Sequence, residues 1–202
     1  MRKHNCASGI AAAIRGLLAA MLVMLVGCAG TNFVRPNSDT LKLGQTTYEQ
    51  IVQQFGKPRR EGTILKNDKT VKAISYAYAA LGGEPLHAGV VAARGIDFYF
   101  FNDALVGYAF ISSWKEDNTD FDETKLSAIT KGQSTREEAI ALLGKPGGWY
   151  KDPLVKSSAS EAAAYIYVEA YLNRKLLRKS LVVSFDQGGV VSGVEFTSSG
   201  SQ

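Results

Sequence analysis

Two stretches of the chain place hydrophobic residues at helical spacing and read almost alike. They are GQTTYEQIVQQFGKP, residues 44–58, and GQSTREEAIALLGKP, residues 132–146, and seven of the fifteen aligned positions are identical. The apolar positions of the first copy, which recur at i, i+3, i+4 and i+7, are Tyr48, Ile51, Val52 and Phe55; those of the second are Ala139, Ile140 and Leu143. The pattern predicts a short one-sided helix in each copy and indicates an internal duplication.

The ends of both predicted helices are marked by capping residues. Thr46 and Ser134 are the expected N-caps, and Glu49 and Glu137 stand three places on, which is the spacing of a capping box. A glycine followed by Lys-Pro then ends each copy, because glycine adopts the left-handed conformation and proline cannot continue a helix. Helices of about ten residues are marginal in water, so each must pack on another element.

Alternating apolar and polar residues after each copy predict three strands. Those of the first half are residues 72–79, 96–101 and 104–111; those of the second are 163–172, 176–185 and 190–196. Short polar turns such as Asn102-Asp103 favour antiparallel hairpins. Further helices are predicted ahead of the two copies, at 38–43 and 121–130. The expected fold is therefore α+β, with two tandem ααβββ repeats whose small helices pack on one face of antiparallel sheets.

The first thirty residues have the features of an export signal. Arg2 and Lys3 precede an apolar run from 16 to 26 that is too short to span a membrane, and small residues follow. Leu25-Val26-Gly27-Cys28 resembles the lipobox of bacterial lipoproteins, which implies lipidation of Cys28. Ala29 rather than aspartate then implies sorting to the outer membrane. The expected organisation is a signal peptide (1–27), a lipidated linker (28–36), and repeats at 37–116 and 117–202.

The motif G-x-[TS]-x-x-[EQ]-x-x-x-x-[FL]-G-K-P, preceded by a leucine-containing helix and followed by a tyrosine-rich strand, resembles the SmpA/OmlA (BamE-like) lipoprotein family. The doubled arrangement is similar to the β-lactamase inhibitor protein architecture. Both resemblances imply binding to a protein in the cell envelope rather than catalysis. This chain differs from the BamE-like subunit in its duplication and in a long loop, residues 81–95.

Charge and composition exclude several classes of function. The net charge of +4 falls to +1 without Arg2, Lys3 and Arg15, and no run of basic residues indicates nucleic-acid binding. Only His87 and Cys28 remain of the histidines and cysteines beyond the signal, which argues against a Cys/His nucleophile pair or a zinc site. The sequence predicts no catalytic residue, no metal site and no cofactor.

The tyrosines of the predicted strands are the candidate partner-binding residues, because tyrosine buries a large area and retains a polar tip. The alternatives are that these rings pack within the fold and that His87 is an exposed loop imidazole without a binding role. The candidates are Tyr76, Tyr78, Tyr99, Tyr165, Tyr167 and Tyr171, together with His87 in the long loop. Two functions follow as hypotheses: a lipid-anchored scaffold on the periplasmic face of the outer membrane that binds another envelope protein, or an inhibitor of a periplasmic or secreted enzyme.

Overall fold

In the described part of the chain, a single antiparallel sheet of eight strands forms the body of the protein. The computed structural model describes residues 30–156 and 159–200. The strands follow one another in chain order across the sheet. They are β1 (Arg60–Lys66), β2 (Lys69–Ala80), β3 (Ala92–Phe101), β4 (Ala104–Ser112), β5 (Gly148–Tyr150), β6 (Glu161–Ala170), β7 (Leu176–Phe185) and β8 (Val191–Ser199).

Two of the hairpins turn through asparagine and aspartate. Asn67-Asp68 joins β1 to β2 and Asn102-Asp103 joins β3 to β4, and all four residues have a positive φ between 46° and 63°. Asparagine and aspartate tolerate this left-handed backbone better than most residues do. Positive φ at both central residues is the geometry of a type I′ turn, whose twist matches that of paired strands. The local sequence therefore fixes the register of both hairpins.

Residues 30–156 and 159–200 contain two α-helices, and both pack on one face of the sheet. They are α1 (Tyr48–Phe55) and α2 (Arg136–Leu143). Ile51 of α1 is fully buried against alternate residues of β2, β3 and β4, and Leu143 of α2 packs on β6 and β7. The resulting two hydrophobic clusters share Trp149 of β5. We call this side of the sheet the helix face and the other side the open face.

The prediction of an α+β fold made of two ααβββ repeats is wrong. The segments predicted as leading helices form only short 3-10 helices, Ser38–Thr40 and Glu123–Ala128, and every strand joins one continuous sheet. The six predicted strands are present, but β1 and β5 were missed. In β1 most side chains are exposed, and β5 has only three residues, so neither carries a strong hydrophobic pattern.

Both copies of the fifteen-residue motif form capped helices, but the caps lie one residue later than predicted. Thr47 and Thr135 are the N-caps, and each makes a full capping box with the residue three places on, Gln50 or Glu138. The hydroxyls of Thr46 and Ser134 instead accept hydrogen bonds from the backbone N–H groups of Lys42 and Thr130. Each copy has two neighbouring hydroxyl residues that could cap the helix. The first hydroxyl is hydrogen-bonded within the preceding turn, so the second one caps the helix.

The two halves of the sheet are joined through β5 and the segment before it. The backbone of Gly148 pairs with both β4 and β6. Beside the short β5, Thr119 bridges β4 and β6. Its backbone N–H donates to the carbonyl of Ser112 in β4, and its hydroxyl donates to the carbonyl of Ile166 in β6, 2.6 Å away. These contacts make the sheet continuous.

The predicted signal segment and Cys28 lie outside the described residues. Within residues 30–156 and 159–200, none of the helices has the length and apolar character needed to cross a membrane. The proposed domain boundary at 116/117 lies between β4 and the second 3-10 helix and stays a prediction.

Candidate functional site

Tyr76 and Tyr165 occupy corresponding buried positions on the helix face. Their exposed fractions are 7% and 3%. The hydroxyl of Tyr76 donates to the carbonyl of Gly56, 2.8 Å away, and that of Tyr165 donates to the carbonyl of Gly144, 3.0 Å away. Each tyrosine hydroxyl therefore provides a hydrogen-bond donor for the backbone carbonyl of the glycine that ends the preceding helix. Burial raises the pKa of Tyr76 to about 12, with smaller contributions from Tyr48 and Glu61.

Tyr78 belongs to a network around a buried arginine. Its ring stacks on Trp114, with centroids 6.2 Å apart, and the guanidinium of Arg94 lies 4.5 Å from the centre of the same indole. Arg94 is 3% exposed and donates to Asp117, Glu116 and Asn32. This network ties β3 to the segment after β4 and to the N-terminal segment, so Tyr78 supports a structural contact.

His87, Tyr167, Glu169 and Tyr171 converge into one group, which we call the His87 cluster. Glu169 is at its centre and is 7% exposed. One carboxylate oxygen contacts His87 Nδ1 and accepts from the Tyr167 hydroxyl at 3.1 Å, and the other accepts from the Tyr171 hydroxyl at 2.8 Å. Three of the seven candidates thus meet at a carboxylate that the sequence did not single out.

The long loop between β2 and β3 carries His87 across the sheet. Pro85 bridges to Trp114 just after β4, and farther along, Val90 bridges to Tyr171 at the end of β6. The backbone N–H of Val91 donates to the carbonyl of Ala170, 2.8 Å away. The loop therefore connects the two halves of the chain, and the contact between His87 and Glu169 lies where it reaches the second half.

A cavity of about 610 Å³ lies beside the His87 cluster. Besides the cluster, its lining includes Asp120, Glu123, Lys175, Arg178 and Lys179. Lys179 Nζ lies 2.7 Å from Asp120 Oδ1, so this pair is neutralised within the wall. Among the described residues, no group of three His, Cys, Asp or Glu side chains is arranged to hold a metal ion.

Burial and hydrogen bonding act in opposite directions on Glu169. Burial by itself raises the pKa of this carboxyl, but hydrogen bonds from His87, Tyr171 and Tyr167 favour the charged form and lower the pKa below its usual value of 4.5. The charged carboxylate therefore stabilises the folded state above the unfolded pKa, and this contribution is lost as the pH falls through the lower folded pKa.

Glu169→Gln should lower the free energy of unfolding near neutral pH by about 1.5 to 3 kcal/mol, the range for hydrogen bonds to a charged group. In glutamine an NH₂ group replaces one of the two carboxylate oxygens. Since both oxygens of Glu169 accept hydrogen bonds, this NH₂ would face another hydrogen-bond donor. The difference between the native protein and Glu169→Gln should shrink below about pH 4.5, as the native carboxyl takes up a proton. Urea unfolding of both proteins across that range measures it. An unchanged difference down to the most acidic folded condition would contradict this account of the cluster.

Tyr99 is the candidate that lies on the open face. Its ring packs edge-on against Tyr150, with centroids 5.9 Å apart. Burial, with a smaller contribution from the charge of Asp97, raises the pKa of Tyr99 to about 12, and the charge of Arg178 opposes this shift. Asp97 accepts a hydrogen bond from the hydroxyl of Ser75, 2.6 Å away, so this carboxylate already has a partner within the face.

Within the part of the chain that the structure describes, one end of the open face is covered by the segment that follows β5. Segment 151–156 folds over it near the β1–β2 turn, where the Asn67 amide donates to the carbonyls of Pro153 and Val155. Toward the other end of β2, β3 and β6 the outward positions are small or aliphatic and are half-buried or exposed. They are Ala77, Ala79, Ala93, Gly95, Val168 and Ala170.

No sequence pattern pointed to three residues of these networks: Arg94, Trp114 and Glu169. Glu169 follows Tyr165 and Tyr167 at every second position of β6, so the three side chains lie on the same face of the strand. This spacing was the sequence signal that could have identified Glu169. The partner of Glu169 is His87, 82 positions earlier in the chain, so only the tertiary structure brings them together.

Comparisons with known proteins add one distant likeness. No protein-family model matches the chain, and no curated protein matches it. A solved Streptococcus mutans structure described as a "putative beta-lactamase inhibitor protein" aligns with 13% sequence identity and a TM-score of 0.41, covering 79% of this chain and 91% of that one.

Proposed function

We propose that the chain is a lipid-anchored module of the bacterial cell envelope that binds another protein through the uncovered part of its open face. Binding, rather than catalysis, is the proposed activity. The N-terminal signal and the lipobox-like sequence ending at Cys28 support placement on the periplasmic face of the outer membrane. A partner among envelope proteins is the main hypothesis, and a soluble periplasmic or secreted enzyme is the alternative.

The composition of the open face is the observation that supports binding. A sheet with helices on one side usually presents polar residues to solvent on the other. Here the outward positions at the uncovered end of β2 and β3 are Ala77, Ala79, Ala93 and Gly95, without a charged side chain among them. Small side chains leave the backbone accessible and form a smooth surface, and an uncharged patch of this kind is typical of a contact area.

A photo-cross-linking amino acid placed at Ala79 tests this proposal in living cells. Ala79 is exposed on the open face, and Gln53, exposed on α1, provides the matched control. A discrete cross-linked protein should form from position 79 and not from position 53. Ala77→Arg should abolish the cross-link from position 79, because a long charged side chain on the neighbouring outward position blocks the contact.

The origin of the captured protein separates the two hypotheses. A partner that fractionates with the outer membrane supports the scaffold, and a soluble hydrolase supports the inhibitor. Equal cross-linking from positions 79 and 53, or a cross-link that persists in Ala77→Arg, would overturn the open face as the binding surface.

The anchor has a separate test. Cys28→Ser should move the protein from the membrane fraction to the soluble periplasmic fraction, because the serine hydroxyl cannot take up the lipid that the thiol accepts. Continued recovery with membranes, in high salt as well as low, would contradict lipidation at Cys28.

A further inference from the structure

The turn between β6 and β7 presents leucines and basic residues together. Leu172 is 72% exposed and Leu176 is 56% exposed. Arg174 and Arg178 are exposed and Lys175 is half-buried. The turn is well defined, since the backbone N–H of Tyr171 donates to the carbonyl of Lys175, 2.9 Å away, and the N–H of Arg174 donates back to the carbonyl of Tyr171, 3.0 Å away. An ordered backbone therefore holds two apolar side chains outward among cations.

The carboxylates around the turn do not neutralise these cations. Within residues 30–156 and 159–200, no carboxylate lies within 4.0 Å of Arg174, Lys175 or Arg178. Asp120 is paired with Lys179, and Glu169 accepts from His87 and two tyrosines. Glu123, which lines the same cavity, is the remaining acidic side chain there. The turn therefore has a net positive charge.

Gly30, the first residue that the structure describes, lies at the same end of the sheet. The backbone of Gly30 lies against the carbonyl of Ala77, which is three residues before the end of β2. Because all neighbouring strands are antiparallel, β2 and β6 run toward the same end of the sheet. Leu81, 86% exposed, directly follows β2 at that end.

The residues that follow Gly30 are fixed to the rest of the protein, so few residues separate the fold from Cys28. Phe33 packs in the hydrophobic cluster that contains Ile51 of α1, and Arg35 donates to the backbone carbonyl of Asn118, 3.0 Å away. Cys28 is two residues before Gly30 in the sequence, and a chain of two residues spans at most about 7 Å. A lipid on Cys28 would consequently hold this end of the sheet close to the bilayer.

We propose that the β6–β7 turn docks on an anionic lipid surface, with Leu172 and Leu176 entering the interface, Arg174 and Lys175 facing the headgroups, and Arg178 adding positive charge from the open-face side of the turn. Exposed aliphatic side chains among cations match the chemistry of an anionic membrane surface. The orientation rests on the proposed lipid anchor, whereas the chemistry of the turn does not. Binding by the turn adds a second contact to the acyl anchor and fixes the direction in which the open face points.

Vesicle binding by the mature chain, residues 28–202 carrying Cys28→Ser, tests the turn without the anchor or the signal peptide. The probes are vesicles of phosphatidylcholine alone and of an equimolar mixture with phosphatidylglycerol, at physiological salt. Sedimentation should show binding to the mixed vesicles only. Adding Arg174→Gln, Lys175→Gln and Arg178→Gln should weaken that binding more than tenfold, since each basic residue near an anionic surface contributes about fivefold.

The matched control is a second triple variant with the same change in net charge. It replaces three exposed lysines that lie toward the opposite end of the sheet: Lys42, Lys66 and Lys131. Their replacement by glutamine should leave vesicle binding within about twofold of the Cys28→Ser protein, because these charges lie beyond a Debye length from the surface. Leu172→Ser should weaken binding, whereas Leu65→Ser, at an exposed leucine of β1, should not.

Several outcomes would overturn the proposal. These are no binding of the Cys28→Ser chain to the mixed vesicles, equal losses in the two triple variants, or a photo-cross-linker at Leu172 that captures a protein instead of lipid. The anchor and the turn can fail separately. If Cys28→Ser releases the protein from cell membranes but never binds vesicles, the anchor stands and the turn proposal is wrong.

Discussion

Gly148→Ala should reduce the free energy of unfolding by at least about 3 kcal/mol, in the upper range for single substitutions. A Cβ built at this position lies 1.8 Å from the backbone carbonyl oxygen of Tyr108 and 2.6 Å from its carbon. Neither atom is part of a flexible side chain, so β5 must move away from β4. Because β5 pairs with both β4 and β6, that movement would separate the two halves of the sheet. Urea denaturation followed by circular dichroism measures the loss.

Gly62→Ala provides the control for Gly148→Ala. Gly62 is an exposed residue of β1, and a Cβ there has no heavy atom within 4 Å. Its replacement should leave stability unchanged or slightly increased, because alanine loses less conformational freedom on folding than glycine does. If both variants unfold at the same urea concentration as the native protein, the close approach of β5 and β4 is not as described.

Arg94→Met should also destabilise the protein, by about 3 to 5 kcal/mol, the usual result of removing one partner of a buried ion pair. The guanidinium is 2% exposed, and its Nε lies 2.9 Å from Asp117 Oδ2. Methionine fills much of the same volume, but it leaves the Asp117 carboxylate, whose other oxygen accepts from Ser112, without its cation. It also removes the cation from the face of Trp114.

The ion pair between Lys69 and Asp152 is the control for Arg94→Met. The two groups are 2.8 Å apart, but their side chains are 40% and 56% exposed. Lys69→Met should therefore cost less than about 1 kcal/mol, as exposed pairs do. Equal losses from Lys69→Met and Arg94→Met, measured by thermal or urea unfolding, would mean that burial does not set the strength of the Arg94 network.

The candidate partner-binding residues illustrate what a strand pattern can and cannot predict. Alternation along β6 correctly places Tyr165 and Tyr167 on one face. It does not tell which face the helices cover, and the structure shows that they cover the tyrosine face. Tyr76 and Tyr165 are therefore buried hydrogen-bond donors to helix ends, while the small residues on the other side of the sheet form the accessible surface.

The sequence by itself determined local elements of this protein: the two helices, though with each N-cap one residue too early, six of the eight described strands and the Asn102-Asp103 turn. These depend on side-chain spacing, capping hydroxyls and backbone preferences within a few residues. Only the tertiary structure decided that the eight strands form one sheet, that Gly148 and Thr119 join its halves, and that Glu169 receives His87 from the long loop. Those contacts connect residues far apart in the chain, and their formation depends on which surfaces exclude water together, which no local pattern of residues specifies.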